Sequence, residues 1–248
     1  MFTGIKIPKL IRWIFWTGII FLFLMSLLRF IFYFSFPHSG GAAGSAAGAF
    51  LLGFRFDLRM VCILLEAMLI IGFLKRTDPF HSSAGRQAEF ILLGIASLFF
   101  SFFYIVDFAH YSYLSQRLSG SVLNYLQDAG ISLNMVWQTY PVIRLLLAML
   151  IGSLILFWLV KKSFSFVARR AEQETGKKKW IWMVSCFLLL GLGIFGNRGQ
   201  FPLRWSDAYS RGSDYRANLA LNPCQSCSSS LKFRKSGINL GKVKAAYP

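Results

Sequence analysis

Acidic side chains are scarce in this chain: Asp and Glu together number 10 among 248 residues, against 27 Lys and Arg, and there are only 3 His. A metal-assisted phosphoryl-transfer centre needs several oxygen or nitrogen ligands and an activated hydroxyl. His38, His81 and His110 stand on different loops, and after Phe195 the only acidic residues are Asp207 and Asp214, with no histidine. The C-terminal stretch therefore excludes a self-contained metal site of that kind. Cysteine is also sparse, at 4 residues. Cys62 and Cys186 fall within apolar runs as packing residues. The Cys224-x-x-Cys227 pair has no accompanying His or second pair, which is thin support for metal or redox chemistry. There is no long internal repeat and no sustained heptad. Period-two alternation is missing as well, which argues against a membrane β-barrel.

What remains is apolar. Five long runs dominate: Ile11 to Phe36, Ala49 to Leu74, Phe90 to Val106, Val142 to Val160 and Trp180 to Phe195. Each lies near the ~20 residues that cross a hydrocarbon core, the third and fifth needing a few flanking residues. In lipid, every backbone amide must be paired within its own segment, so the runs predict helices. The expected fold is an all-α polytopic membrane bundle of five transmembrane helices with an amphipathic outer segment. Residues 1–195 form the membrane domain, and 196–248 an extracytoplasmic juxtamembrane linker.

Lysine and arginine set the expected orientation. Lys6, Lys9 and Arg12 precede the first run, Lys75, Arg76 and Arg86 follow the second, and Lys161, Lys162, Arg169, Arg170 and Lys177 to Lys179 lie between the fourth and fifth. The alternate loops hold Arg55, Arg59 and Arg117, with Arg29 and Arg144 near helix ends, placed to snorkel to the interface. This pattern predicts a cytoplasmic N-terminus and an outer C-terminus, with Asp78 and Glu174 inside and Gln116 and Ser210 outside. The net charge of +17 follows from topology and attraction to an anionic leaflet. No basic stripe stands on a soluble domain, so nucleic acid is not an expected partner. The first run is also too long for a signal-peptide core, which favours an uncleaved helix.

Gly44 and Gly48 sit at small-xxx-small spacing, suited either to close helix approach or to a flexible outer turn. Leu114, Leu118, Val122 and Leu126 recur every fourth residue, predicting an amphipathic outer helix with one face on the membrane surface or on the bundle. The 161–179 segment, with Phe164, Phe166 and Val167 among its cations, is expected to lie along lipid headgroups.

The second run carries the main polar constellation. On one helix, Arg55, Arg59 and Glu66 fall within about 40° of each other while Asp57 points to the opposite side. A charge near a helix centre costs ~2.5–3.5 kcal/mol on insertion, so Glu66 should face protein or a wet recess. Two readings fit. In one, Arg55 and Arg59 fork to an anionic headgroup with Glu66 orienting a guanidinium; in the other, an intramembrane ion pair sets helix register.

Several segments bear a family likeness. Phe54-Arg55-Phe56-Asp57-Leu58, Asp107 with His110, Tyr111 and Tyr113, Met135-Val136-Trp137-Gln138 before Tyr140-Pro141, and Phe201 to Ala208 followed by Leu219 to Pro223 together resemble the N-terminal membrane module of lipoteichoic-acid-synthase-like proteins. These belong to the sulfatase and alkaline phosphatase superfamily. The resemblance implies a bacterial cytoplasmic-membrane anchor for an enzyme that moves phosphoglycerol or phosphoethanolamine from a phospholipid to a glycolipid or polymer, or hydrolyses related esters. It also implies linker contacts by Arg204, Trp205 and Asp207. The family's Thr nucleophile and divalent metal belong to a catalytic domain beyond the fifth span, and the residues after Phe195 are too few for one. The expectation is a truncated or split module, not catalytic alone and holding no cofactor. Its expected partners are the phospholipid bilayer, an anionic phospholipid and a separately encoded catalytic domain. A stand-alone membrane scaffold and a small transporter are the alternatives.

Overall fold

The computed structural model describes residues 7–36, 43–74, 76–120, 129–169, 177–196, 201–211 and 214–233. Among them the chain is all helical, with no strand. The helices are α1 Lys9–Ser35, α2 Ala43–Phe73, α3 Ser83–Leu114, α4 Ala129–Thr139, α5 Val142–Ala168, α6 Lys177–Phe195, a 3-10 helix Trp205–Arg211, α7 Asp214–Ala220 and α8 Pro223–Phe233. Three of them, α1, α3 and α5, are long and apolar enough to cross a membrane, and Lys179–Phe195 is a shorter apolar helix. At 31 residues α2 has the length, but Arg55, Asp57, Arg59 and Glu66 interrupt its apolarity.

Helix α1 packs on α2 and α5, α3 on α5 and α2, and α6 leans on α2. The long helices alternate in direction, giving the bundle a basic end, with Lys9, Asp78, His81 and Lys179, and an opposite tail end, with Arg29, Asp57 and Tyr104. Aromatic side chains fill the interior. At the basic end Trp13 meets Phe164, Phe80 and Phe90 edge-on at ring-centroid distances of 5.0, 6.0 and 6.1 Å. Phe21 meets Phe100 at mid-depth, 5.6 Å away, and Phe32 meets Tyr111 at the tail end, 4.6 Å away. These tilted geometries suit the ring quadrupoles.

The ends of α3 have local causes. The Ser82 hydroxyl accepts from the Gly85 amide at 3.4 Å, an N-cap. Only a glycine fits at 85, because a Cβ there would run into the Thr77 carbonyl. At the other end Ser115 adopts φ 54° while its amide bonds Tyr111 O at 2.8 Å, a left-handed cap. This turn corrects the expected amphipathic helix through Leu114 and Leu118. The helix ends between them, Leu114 staying exposed and Leu118 becoming buried; Val122 and Leu126 lie outside the described residues.

Two other expectations change. Residues 161–168 are not a surface loop but the last turns of α5, because Phe164 and Val167 are buried in the core. The helix also begins at Ala43, so the residues about Gly44 and Gly48 are not a flexible turn.

Candidate functional site

At the tail end the segment after α6 folds back into the bundle. Gly196 ends α6 with φ 67°, and its amide bonds Leu192 O at 3.0 Å. Beyond it Leu203, Ala208, Ala217 and Leu219 to Leu221 are buried with Phe32, Leu52, Phe56 and Tyr111 of the long helices. A backbone buried this deeply needs partners for its carbonyls, and two arginines supply them.

Arg29 of α1 is 4% exposed and Asp57 of α2 fully buried. The Arg29 Nη2 group donates to both Asp57 oxygens at 2.8 Å and to Gly53 O at 3.1 Å. Its Nη1 donates to Ala220 O at 2.8 Å and also to Leu219 O. A Cβ at position 53 would strike the guanidinium, so the glycine makes the approach possible. Asn222 completes the cluster, its Nδ2 donating to Asp57 Oδ1 at 2.7 Å and to Tyr104 Oη at 3.1 Å. Its Oδ1 accepts from the Cys224 amide at 3.0 Å, capping α8 as Asn before Pro is suited to do.

A second pair repeats the arrangement. Asp107 of α3 is buried and ion-paired with Arg117, and it also accepts from the Leu118 amide at 2.9 Å. The Arg117 Nε donates to Asn218 O at 2.7 Å, and its guanidinium lies 3.9 Å over the Phe32 ring, a cation–π contact. Residues 218 to 222 are thus held from two sides by charge-assisted hydrogen bonds, roughly twice as strong as neutral ones.

Arg29 therefore does not snorkel to the interface; it is consumed by Asp57 and the tail. The expected stripe of Arg55, Arg59 and Glu66 also resolves differently. Arg55 Nε donates to Gly196 O at 3.0 Å and Arg59 Nη1 to Leu203 O, so both cover carbonyls at the junction of α6 and the tail. Glu66 lies about two turns from Arg59 and three from Arg55, and among the described residues no ion pair joins it to either arginine; its Oε2 has no hydrogen-bond partner. The separation is geometric: the cations reach towards the tail end, whereas Glu66 lies further along α2 towards the basic end, beside Cys62 and Cys186. Arg204 and Asp207 form a local cap, the Arg204 amide donating to Asp207 Oδ2 at 2.8 Å. Trp205 packs against Tyr209 at 4.7 Å and on the tail cluster.

The paired cysteines are both free thiols. Burial pushes the Cys224 thiol well up, with Asp107, Asp57 and Cys227 adding to it; burial also raises Cys227. Neither thiol is a poised nucleophile. Asp57 and Asp107 are no better suited to a divalent cation, since arginine and amide or hydroxyl donors already surround them. Among the described residues no group of three His, Cys, Asp or Glu converges on a point. The arrangement neutralises charge and fastens backbone; it offers no acid–base couple.

Tyr104, Arg117, Asn218 and Asn222 were not legible as site residues. The one usable signal was Asp57 itself, which faces away from Arg55 and Arg59 and so needed a different cation. Comparison with protein-family models, curated proteins and solved structures finds no match to this chain. Fold and site together define the class, an α-helical membrane protein whose post-α6 segment is built into the bundle.

Proposed function

We propose that this chain is the membrane module of a lipoteichoic-acid-synthase-like phosphotransferase, and that its seat for the tail fixes a catalytic domain against the bilayer surface. In this reading α1, α2, α3, α5 and α6 cross the bacterial cytoplasmic membrane, with the basic end inside and the tail end outside. The carrying observation is the double grip on residues 218 to 222: Arg29 and Arg117, each held by a buried carboxylate, bind the backbone carbonyls of Asn218, Leu219 and Ala220. A flexible tether would leave a following or recruited domain free over a wide volume. A tail locked into the bundle restricts it to one distance from the headgroups, which raises the rate of a lipid-directed reaction by positioning. Arg55 and Arg59 support the same junction. The donor is a phosphoglycerol or phosphoethanolamine phospholipid and the acceptor a glycolipid or polymer.

The test has two parts. DNA beyond the codon for Pro248 is read, and the chain is purified from its native membrane. A Thr-and-metal phosphotransferase domain, continuous with the chain or co-purifying with it, together with headgroup transfer that falls in Arg117→Gln, bears the proposal out. No such domain in either place overturns it and leaves a membrane scaffold.

A further inference from the structure

At the basic end one carboxyl stands apart from the rest. Asp57, Asp78 and Asp107 are buried and each is ion-paired, but Glu89 of α3 is fully buried and neither of its oxygens has a hydrogen-bond partner. Two more buried polar atoms without partners lie on the inward face of α1: Trp13 Nε1 and, one turn further along, Thr17 Oγ1. The Trp13 ring meets that of Phe90, next to Glu89, at 6.1 Å, which sets Glu89 and Trp13 at about one level of the bundle, with Thr17 one turn of α1 further in. Buried polar atoms are nearly always paired, so three orphaned side chains within about a turn of one another mark a site where something small belongs.

Their chemistry limits what that is. Trp13 is a pure donor and Thr17 a donor and acceptor, which suits water and does not suit a bare cation. The neighbouring cations are engaged elsewhere or exposed. On α1, Lys9 donates to Ala168 O at 3.4 Å and Arg12 to Ile7 O at 3.4 Å. Arg86 donates to Pro79 O at 3.3 Å and lies over Phe164. On α5, Lys161 is exposed and Lys162 lies over Trp158; on α2, Glu66 sits beside Cys62 and Cys186, and Arg76 beyond the helix is exposed. Lys179 of α6 pairs with Asp78 at 3.0 Å. Among the described residues, Asp78 is the charged group whose field acts on Glu89, and it repels a carboxylate. It also contacts His81 at 3.1 Å, whose side chain is 54% exposed.

We propose that Glu89 is a proton-binding site, bridged by a small water cluster to Trp13 and Thr17 and loaded from the basic end through His81 and Asp78. The reaction is a single transfer: the Glu89 carboxylate and a hydronium ion become a carboxylic acid and a water. The proton enters along the 3.1 Å contact between His81 and Asp78, and water carries it inwards. A water needs two to four polar partners in a dry core, and the neutral acid, the indole N–H and the hydroxyl provide them.

Infrared difference spectroscopy on the intact chain in lipid bilayers, across a pH jump, tests this with protons as the probe. A carboxylic-acid carbonyl band that titrates, shifts in heavy water and disappears in Glu89→Gln is the expected result. Thr17→Val should move that band without removing it, which keeps the test decisive if Glu89→Gln does not fold. His81→Ala and Asp78→Asn should slow proton uptake without changing its extent. A band unchanged in both Glu89→Gln and Thr17→Val overturns the site, and uptake equally fast in His81→Ala and Asp78→Asn overturns the route.

Discussion

Asn222 and Asp57 lie 2.7 Å apart, amide to carboxylate, although 165 positions separate them in the chain. The contact ties the cap of α8 to the interior of the bundle's tail end, and the same amide reaches Tyr104 at 3.1 Å. Asn222→Ala removes both bonds and the α8 cap while leaving Arg29 on Asp57. The expected loss is ~1–3 kcal/mol, the cost of unsatisfied buried groups. Thermal melting in lipid or mild detergent should fall, and limited proteolysis should begin to cut the tail near Arg204. Unchanged melting together with an intact tail would show that Asn222 is a passenger.

The Arg29 and Asp57 pair allows a sharper test. Removing one member of a buried pair strands the other and typically costs ~3–5 kcal/mol, whereas replacing both by apolar residues of similar size is often neutral. Arg29→Met should therefore destabilise strongly and Arg29→Met with Asp57→Leu should recover much of the loss. Recovery has a limit, because the carbonyls of Leu219 and Ala220 lose their donor in both variants. If the double variant melts no higher than the single, the guanidinium serves the tail carbonyls and not the carboxylate.

Orientation can be read by single-cysteine labelling in intact cells, on a background lacking the native thiols. Asp78 is a poor reporter because it is buried against Lys179, but its neighbour His81 is exposed, as are Gln116 and Ser210. With the basic end inside, an impermeant reagent should modify positions 116 and 210 and spare 81. Labelling at 81 but not at 116 would invert the topology.

Periodicity and apolarity were enough to foresee an all-helical chain and the approximate positions of its long helices, because both signals are local. Charge pairing was not local. Arg29 sits in an apolar run near a helix end, where a long side chain ordinarily escapes to the interface, and nothing nearby in sequence tells that its partner is on α2. Glu66 misled for the opposite reason: it shares a helical face with Arg55 and Arg59, but about two to three turns of rise keep them apart while the tail offers the arginines nearer carbonyls. The four-residue leucine spacing failed at Ser115, where Asp107 draws the chain back through the Leu118 amide and Arg117.

Cys224 gives the site a pH signature. Burial, with help from Asp107, Asp57 and Cys227, raises its folded thiol above its ordinary range, whereas the unfolded thiol ionises near pH ~8.5. The sign follows from linkage: a neutral group that resists ionisation in the fold contributes stability that is complete below the unfolded value and is lost as pH rises above it. Stability should therefore decline above pH ~8.5, and Cys224→Ala should flatten that part of the curve while Cys227→Ala changes it less. In the folded chain a thiol reagent should modify Cys227 first, since Cys224 is both buried and protonated. Equal labelling rates at neutral pH would mean that α8 leaves its seat faster than the reagent acts, and that the tail is held less tightly than its contacts with Arg29 and Arg117 require.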